Sequence, residues 1–163
     1  MLTRIDHVGI ACRNLSDATA FYEATFGLTV VSRETNAEQG VREAMLVVSD
    51  AGLALGGRPS GTPPPSGSSY VQLLEPLGPD TPVGRFLERR GEGIHHVGYA
   101  VADIEAAMAA IGAAGVRLLD ARPRHGSMGA SIAFLHPADV GGVLTELVQS
   151  AAPDNGDDGG QRA

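Results

Sequence analysis

The chain has 163 residues, 43 % of them hydrophobic and 19 % charged, with a formal net charge of −7. That length suits one domain or two small halves sharing a core, and the negative balance argues against a nucleic-acid or membrane-surface binder. All 12 basic residues are Arg, which excludes lysine Schiff-base chemistry and a P-loop lysine, and no apolar run nears the roughly 20 residues of a membrane helix.

Residues 1–7 run straight into a strand pattern with no signal-peptide core, so a cytoplasmic chain is expected. Residues 5–11 read as a strand. The one cysteine, Cys12, follows it as a small buried apolar residue; a disulfide within the chain and a Cys-based metal site are excluded. Ser16 is a candidate N-cap for a helix with Ala18, Phe21, Tyr22 and Phe26 on one face, closed by Gly27. Residues 28–31, 42–48 and 69–75 read as strands. Residues 56–69 form a Gly/Pro/Ser loop too poor in apolar residues to pack. Residues 82–90 fit a connecting helix, with Pro82 near its first position and Gly91 after it.

The second half repeats the first. Ile5-Asp6-His7-Val8-Gly9-Ile10-Ala11 matches Ile94-His95-His96-Val97-Gly98-Tyr99-Ala100 at five of seven positions, offset by 89. Asp103 then caps a helix carrying Ile104, Ala107, Met108 and Ile111, closed by Gly115. Residues 116–119, 131–135 and 142–148 read as strands. The expected fold is α+β: two tandem βαβββ modules forming a curved, cup-shaped mixed sheet with helices on its outer face. One domain is expected over residues 1–150, with module 1 at about 4–76, a linking helix at about 80–91 and module 2 at about 93–149. The Gly- and Asp-rich tail, residues 151–163, is expected to be disordered.

Strand alternation puts Ile5, His7 and Gly9 on one face, and Ile94, His96 and Gly98 on its counterpart, with His95 pointing the other way toward a hydrogen bond behind His96. A lone strand histidine is ordinarily a hydrogen-bonded core residue. Two at equivalent places in a repeat point to a shared ligand. Gln72 and Glu146 interrupt apolar strands near the end of each half, and a buried carboxylate is costly unless paired or bound to a metal. His7, Gln72, His96 and Glu146 together suit a first-row divalent ion with room left for substrate. Glu43 shares a face with Met45 and Val47. It is either salt-bridged to an arginine or an unligated carboxylate whose pKa burial raises, as a general base needs. Arg85, Arg89 and Arg90, and Arg122, Arg124 and His125, are either solvated or a phosphate or carboxylate site. The turn at 126–129 could offer backbone N–H groups to an anion.

Segments 5–11, 38–44, 72–77, 93–97, 134–137 and 142–147 carry a resemblance to the vicinal oxygen chelate superfamily. Within it the chain resembles the methylmalonyl-CoA epimerases. The resemblance spans about residues 4–148. It implies an isomerase acting on a small acyl-CoA, a homodimer, and one divalent ion per chain. The matching ligand positions are His7, Gln72, His96 and Glu146. Co²⁺ is the ion expected in vitro, and Ni²⁺, Mn²⁺, Zn²⁺ and Mg²⁺ also suit the donors. The family's base matches Glu43; for the opposite face the candidates are Glu146 or a water held at the ion. The loop at 56–69 departs from the pattern by its length and leaves the ligand alignment intact. The rival readings are a glyoxalase I-type lactoylglutathione lyase, an extradiol dioxygenase, which Gln72 as a fourth ligand disfavours, and a non-catalytic protein binding a small anion in the same cup.

Overall fold

The computed structural model describes residues 1–48 and 67–151. The rest of the 56–69 loop up to residue 66, and the tail from residue 152, lie outside them. The first half contains β1 (Leu2–Ala11), α1 (Leu15–Phe26), β2 (Thr29–Asn36), β3 (Val41–Val48) and β4 (Ser69–Pro76). Helix α2 (Pro82–Arg90) leads to β5 (Gly93–Val101), α3 (Ile104–Ala113), β6 (Arg124–His125), β7 (Ser131–Leu135) and β8 (Thr145–Gln149).

The strands make one eight-stranded mixed sheet in the order β2-β3-β4-β1-β5-β8-β7-β6. β1 and β5 pair antiparallel at its centre, and each pairs in parallel with the last strand of its own half, β4 or β8. Asn36 Nδ2 reaches the His125 carbonyl at 3.4 Å, and the Met128 N–H reaches Glu34 at 2.9 Å. These contacts join the β2 end of the sheet to the segment after β6, so the sheet curls around an enclosed space. The expected α+β cup is the observed architecture.

Helices α1 and α3 cover the outer face of their own halves, and α2 packs on Ala11, Val41 and Leu74. Ile104, Ala107, Met108 and Ile111 of α3 pack on Ala133, Leu135 and Leu147. Leu15 of α1, with Ala18 and Tyr22 beside it, packs on Ala44, Leu46 and Leu73. Strand alternation sends Ile132, Phe134 and Val148 to the inner side. No helix among the described residues is long and apolar enough to cross a membrane.

Several local expectations are corrected. The N-cap of α1 is Asn14, whose side chain accepts from the Asp17 N–H, and Ser16 lies inside the helix. Phe21 and Phe26 are 55 % and 59 % exposed: Phe21 faces away from the buried stripe of Leu15 and Thr19, and Phe26 is the helix's last residue. Residues 116–119 form no strand: only Leu118 makes a bridge, to Leu135. There the Asp120 carboxylate accepts the Phe134 N–H at 2.7 Å in place of a ladder carbonyl. Strand β8 begins at Thr145, because Gly141 and Gly142 have φ of 77° and 84° and hold a turn.

Candidate active site

The two central strands bring the repeated motifs face to face. His7 lies opposite Gly98, and Gly9 opposite His96. One extra residue bulges from each strand just before its histidine, Asp6 in β1 and His95 in β5. A bulge breaks the alternation, so neighbouring side chains turn to the same side. This corrects the expected outward direction of His95: its Nδ1 lies 3.0 Å from His96 Nδ1, and the two rings meet edge to face. Asp6 plays the equivalent part in the first half, with Oδ1 3.2 Å from His7 Nδ1, and is itself paired to Arg4 at 2.6 Å.

The Nε2 atoms of His7 and His96 are 3.0 Å apart. Glu146 Oε2 lies 2.8 Å from the first and 3.4 Å from the second. All three residues are buried, and their ligand atoms lie within 4.8 Å of one another. With Asp6 and His95 satisfying the two Nδ1 atoms, both Nε2 lone pairs are free to face the shared point, the usual arrangement of histidine ligands. Burial opposes charge on His7, but the Asp6 and Glu146 carboxylates outweigh it and push the imidazole up to about 9. Glu146 responds in the opposite sense: burial alone would raise it, and the two histidines pull it down to about 2. A divalent cation would replace that proton.

Gln72 is the fourth residue of the expected donor set. It neighbours Gly9 on β4, and its amide N–H groups donate to Glu43 Oε2 at 2.7 Å and Ser127 Oγ at 2.9 Å. Its Oε1 is buried and has no hydrogen-bond partner among the described residues. A buried carbonyl oxygen left free is expensive, and it becomes satisfied as a metal ligand. Two imidazoles, a carboxylate and this oxygen therefore fit a first-row divalent ion.

Glu43 is 2 % exposed and faces no arginine among the described residues, so the salt-bridge alternative is set aside. The Ser127 hydroxyl donates to its Oε1 at 2.7 Å. Burial raises the Glu43 pKa, the Ser127 and Gln72 hydrogen bonds oppose that, and the negative charge of Glu34 adds to it. His7, Gln72, Ser127, Met45 and Glu146 line a cavity of about 180 Å³. That is below the roughly 300–1,000 Å³ of a drug-sized site and suits a small ligand group.

Of the remaining sequence candidates, Arg85 donates to the Asp80 carbonyl ahead of α2 and Arg89 to the Arg85 carbonyl within it, while Arg124, which lines a second cavity with His96 and Phe134, is tied to Asp120 at 2.9 Å. In the turn at 126–129 the Gly126 N–H is taken by the Ala130 carbonyl and the Met128 N–H by Glu34. Ser127 was missed as a partner of Glu43, and its loop position left no periodic signal. Asp6 could have been found, since the repeat aligns it with His95.

Residues 6–134 match the model of the glyoxalase/bleomycin resistance protein/dioxygenase superfamily. The chain belongs to that superfamily. A variant of Streptomyces coelicolor methylmalonyl-CoA epimerase in complex with 2-nitronate-propionyl-CoA is 51 % identical, at a TM-score of 0.81 over 93 % of this chain and 100 % of that one. Methylmalonyl-CoA epimerase from Mycobacterium tuberculosis is 36 % identical, at a TM-score of 0.80 over 93 % and 90 %. The ethylmalonyl-CoA/methylmalonyl-CoA epimerase of Cereibacter sphaeroides is 34 % identical over 91 % of this chain and 99 % of its own length.

Proposed function

We propose that this superfamily member is an isomerase that interconverts (2R)- and (2S)-methylmalonyl-CoA by proton transfer at C2 through an enolate. The observation that carries the reading is Gln72. Its amide holds the buried Glu43 carboxylate at 2.7 Å, its oxygen has no partner among the described residues, and its side chain lines the same cavity as His7 and Glu146. A proton-transfer group and a cation site are thereby fixed on one side chain, and the epimerase relatives match over nearly the whole chain.

The C2 proton lies between a thioester carbonyl and a carboxylate, and its removal places charge on the thioester oxygen. A divalent ion held by His7, Gln72, His96 and Glu146, one per chain, would supply Lewis-acid stabilisation of that charge. Glu43 takes the proton. Burial raises its pKa, which makes its carboxylate a stronger base than an exposed one. The Ser127 and Gln72 hydrogen bonds hold both of its oxygens, so its direction is set before substrate arrives. Glu146, also a ligand, is assigned the opposite face: held ionised by the two histidines, it takes a proton from solvent and delivers it to C2, while Glu43 releases the abstracted proton to solvent. The reading includes one domain over residues 1–150, a homodimer, and a cytoplasmic location. Co²⁺ is the ion for the assay.

The test is incubation of the Co²⁺-loaded protein with one epimer in D₂O, following deuterium at C2 and epimer conversion. Fast exchange with inversion, lost with chelator and restored by Co²⁺, is expected. Exchange without inversion would remove Glu146 from the proposal. No exchange with intact ion binding would move the assignment to glyoxalase-type chemistry or to a binding protein.

A further inference from the structure

The glycines of the repeated motif serve no turn. Gly9 and Gly98 sit inside β1 and β5 and are not among the glycines with positive φ. A glycine inside a strand weakens it and often marks a close approach of another group. Here the approaching group is known. A Cβ on Gly9 would fall within 3.0 Å of Cε1, Nδ1 and Nε2 of His96, and a Cβ on Gly98 within 3.0 Å of the same atoms of His7.

The registers show why. One row across the sheet reads Gln72, Gly9, His96 on β4, β1 and β5. The equivalent row reads Glu146, Gly98, His7 on β8, β5 and β1. In each row an oxygen donor and an imidazole stand two strands apart, about 9–10 Å of backbone separation. They meet only if the ring lies across the strand between them. That position is the empty side of the glycine. His96 is also bounded by the rings of Phe134 and His95, so it has little room to retreat.

We infer that Gly9 and Gly98 are positioning residues: the missing side chain of each is the seat of the opposite half's imidazole, and the paired seats bring both Nε2 atoms to one point. The inference rests on His7 and His96 being ligands.

The test combines Co²⁺ titration, followed by visible absorption, with melting of the metal-free protein. Gly9→Ala and Gly98→Ala should each weaken Co²⁺ binding roughly 10–100-fold, the range found when a group orienting a ligand is lost. In the metal-free melts, Gly9→Ala should lower Tm in the parent and in the His7→Ala background. That loss should vanish in the His96→Ala background, where the ring is gone. Gly98→Ala should show the reverse pairing. Parental Co²⁺ affinity in both alanine variants, or the same Tm loss in every background, overturns the inference. Should Gly9→Ala fail to fold, Gly9→Ala/His96→Ala is expected to fold, and failure of both overturns it as well. If the parent binds no Co²⁺, the ligand assignment falls, and the melts alone still decide whether the seats exist.

Discussion

Gln72 on β4 and Glu146 on β8 hold the same place in their two halves, the first beside Gly9 and the second beside Gly98. One strand further out, Met45 faces Gln72 and Phe134 faces Glu146, which makes Ile132 the counterpart of Glu43. Before the histidines, Asp6 is matched by His95. The backbone is thus duplicated, and both halves contribute an imidazole and an oxygen to one point. The buried carboxylate proposed for proton transfer, Glu43, lies in the first half alone, and the hydroxyl that donates to it, Ser127, comes from the second half. A symmetric scaffold can build a cation site by repetition. A reaction that treats two faces of one carbon differently needs the symmetry broken, and it is broken at Glu43/Ile132 and Gln72/Glu146.

The largest effect should come from attacking what the halves share. Removing either imidazole, as His7→Ala or His96→Ala, should abolish ion binding and with it exchange at C2. The two losses should be alike, as measured by metal content after dialysis. A variant retaining stoichiometric ion would show that the halves contribute unequally. Next comes what they do not share. Glu43→Gln should keep the ion and lose about 10²–10⁴-fold in kcat, the worth of a general base. Unchanged turnover removes Glu43 from the mechanism. Ser127→Ala should cost about 1–3 kcal/mol, since it strips a donor from a buried carboxylate. The loss should fall on kcat and leave KM and ion affinity near parental; a change in KM alone would assign Ser127 to substrate binding.

The repeat also predicts a pair of equal, smaller effects. Asn14 and Asp103 are offset by the same 89 residues, and each side chain caps its helix. Asn14→Ala and Asp103→Ala should each cost about 0.5–2 kcal/mol in denaturant unfolding, with activity unaltered in the folded protein. A large difference between the two would mean that the helices are anchored by unlike means. Alike costs would show that the duplication extends to the helix ends.

Much of this was legible in the residues. The offset of 89 found both central strands and paired His7 with His96, and apolar interruption found Gln72, Glu146 and Glu43. Applied once more to Asp103, the offset would have pointed to Asn14; Ser16 was preferred on residue type alone. Other features left weaker traces. Bulges at Asp6 and His95 add a residue without changing composition, so alternation misplaces His95. Val116, Leu118 and Leu119 have a strand's composition, but the Asp120 side chain takes the hydrogen bond that a strand would need. Phe21 and Phe26 resemble core residues, yet Phe21 sits about a third of a turn or more from Leu15 and Thr19, and Phe26, although in line with them, is the last residue of α1.

One position tests the comparison without touching the site. Cys12 is the counterpart of Val101, and both are buried against their helices. Burial, with help from the charges of Glu75 and Glu92, pushes the Cys12 thiol up from 9.0 to about 11. The folded state therefore holds the proton longer than the unfolded chain. Stability is fully present below pH 9 and is lost as pH rises toward 11. Cys12→Val makes the halves alike and removes that loss. The difference in unfolding stability between parent and variant should be flat up to about pH 8, then shift in favour of valine as the unfolded thiol ionises. A constant difference up to pH 11 would show that the thiol ionises as readily in the fold as outside it, and that the two helix-covered cores differ there in shape alone.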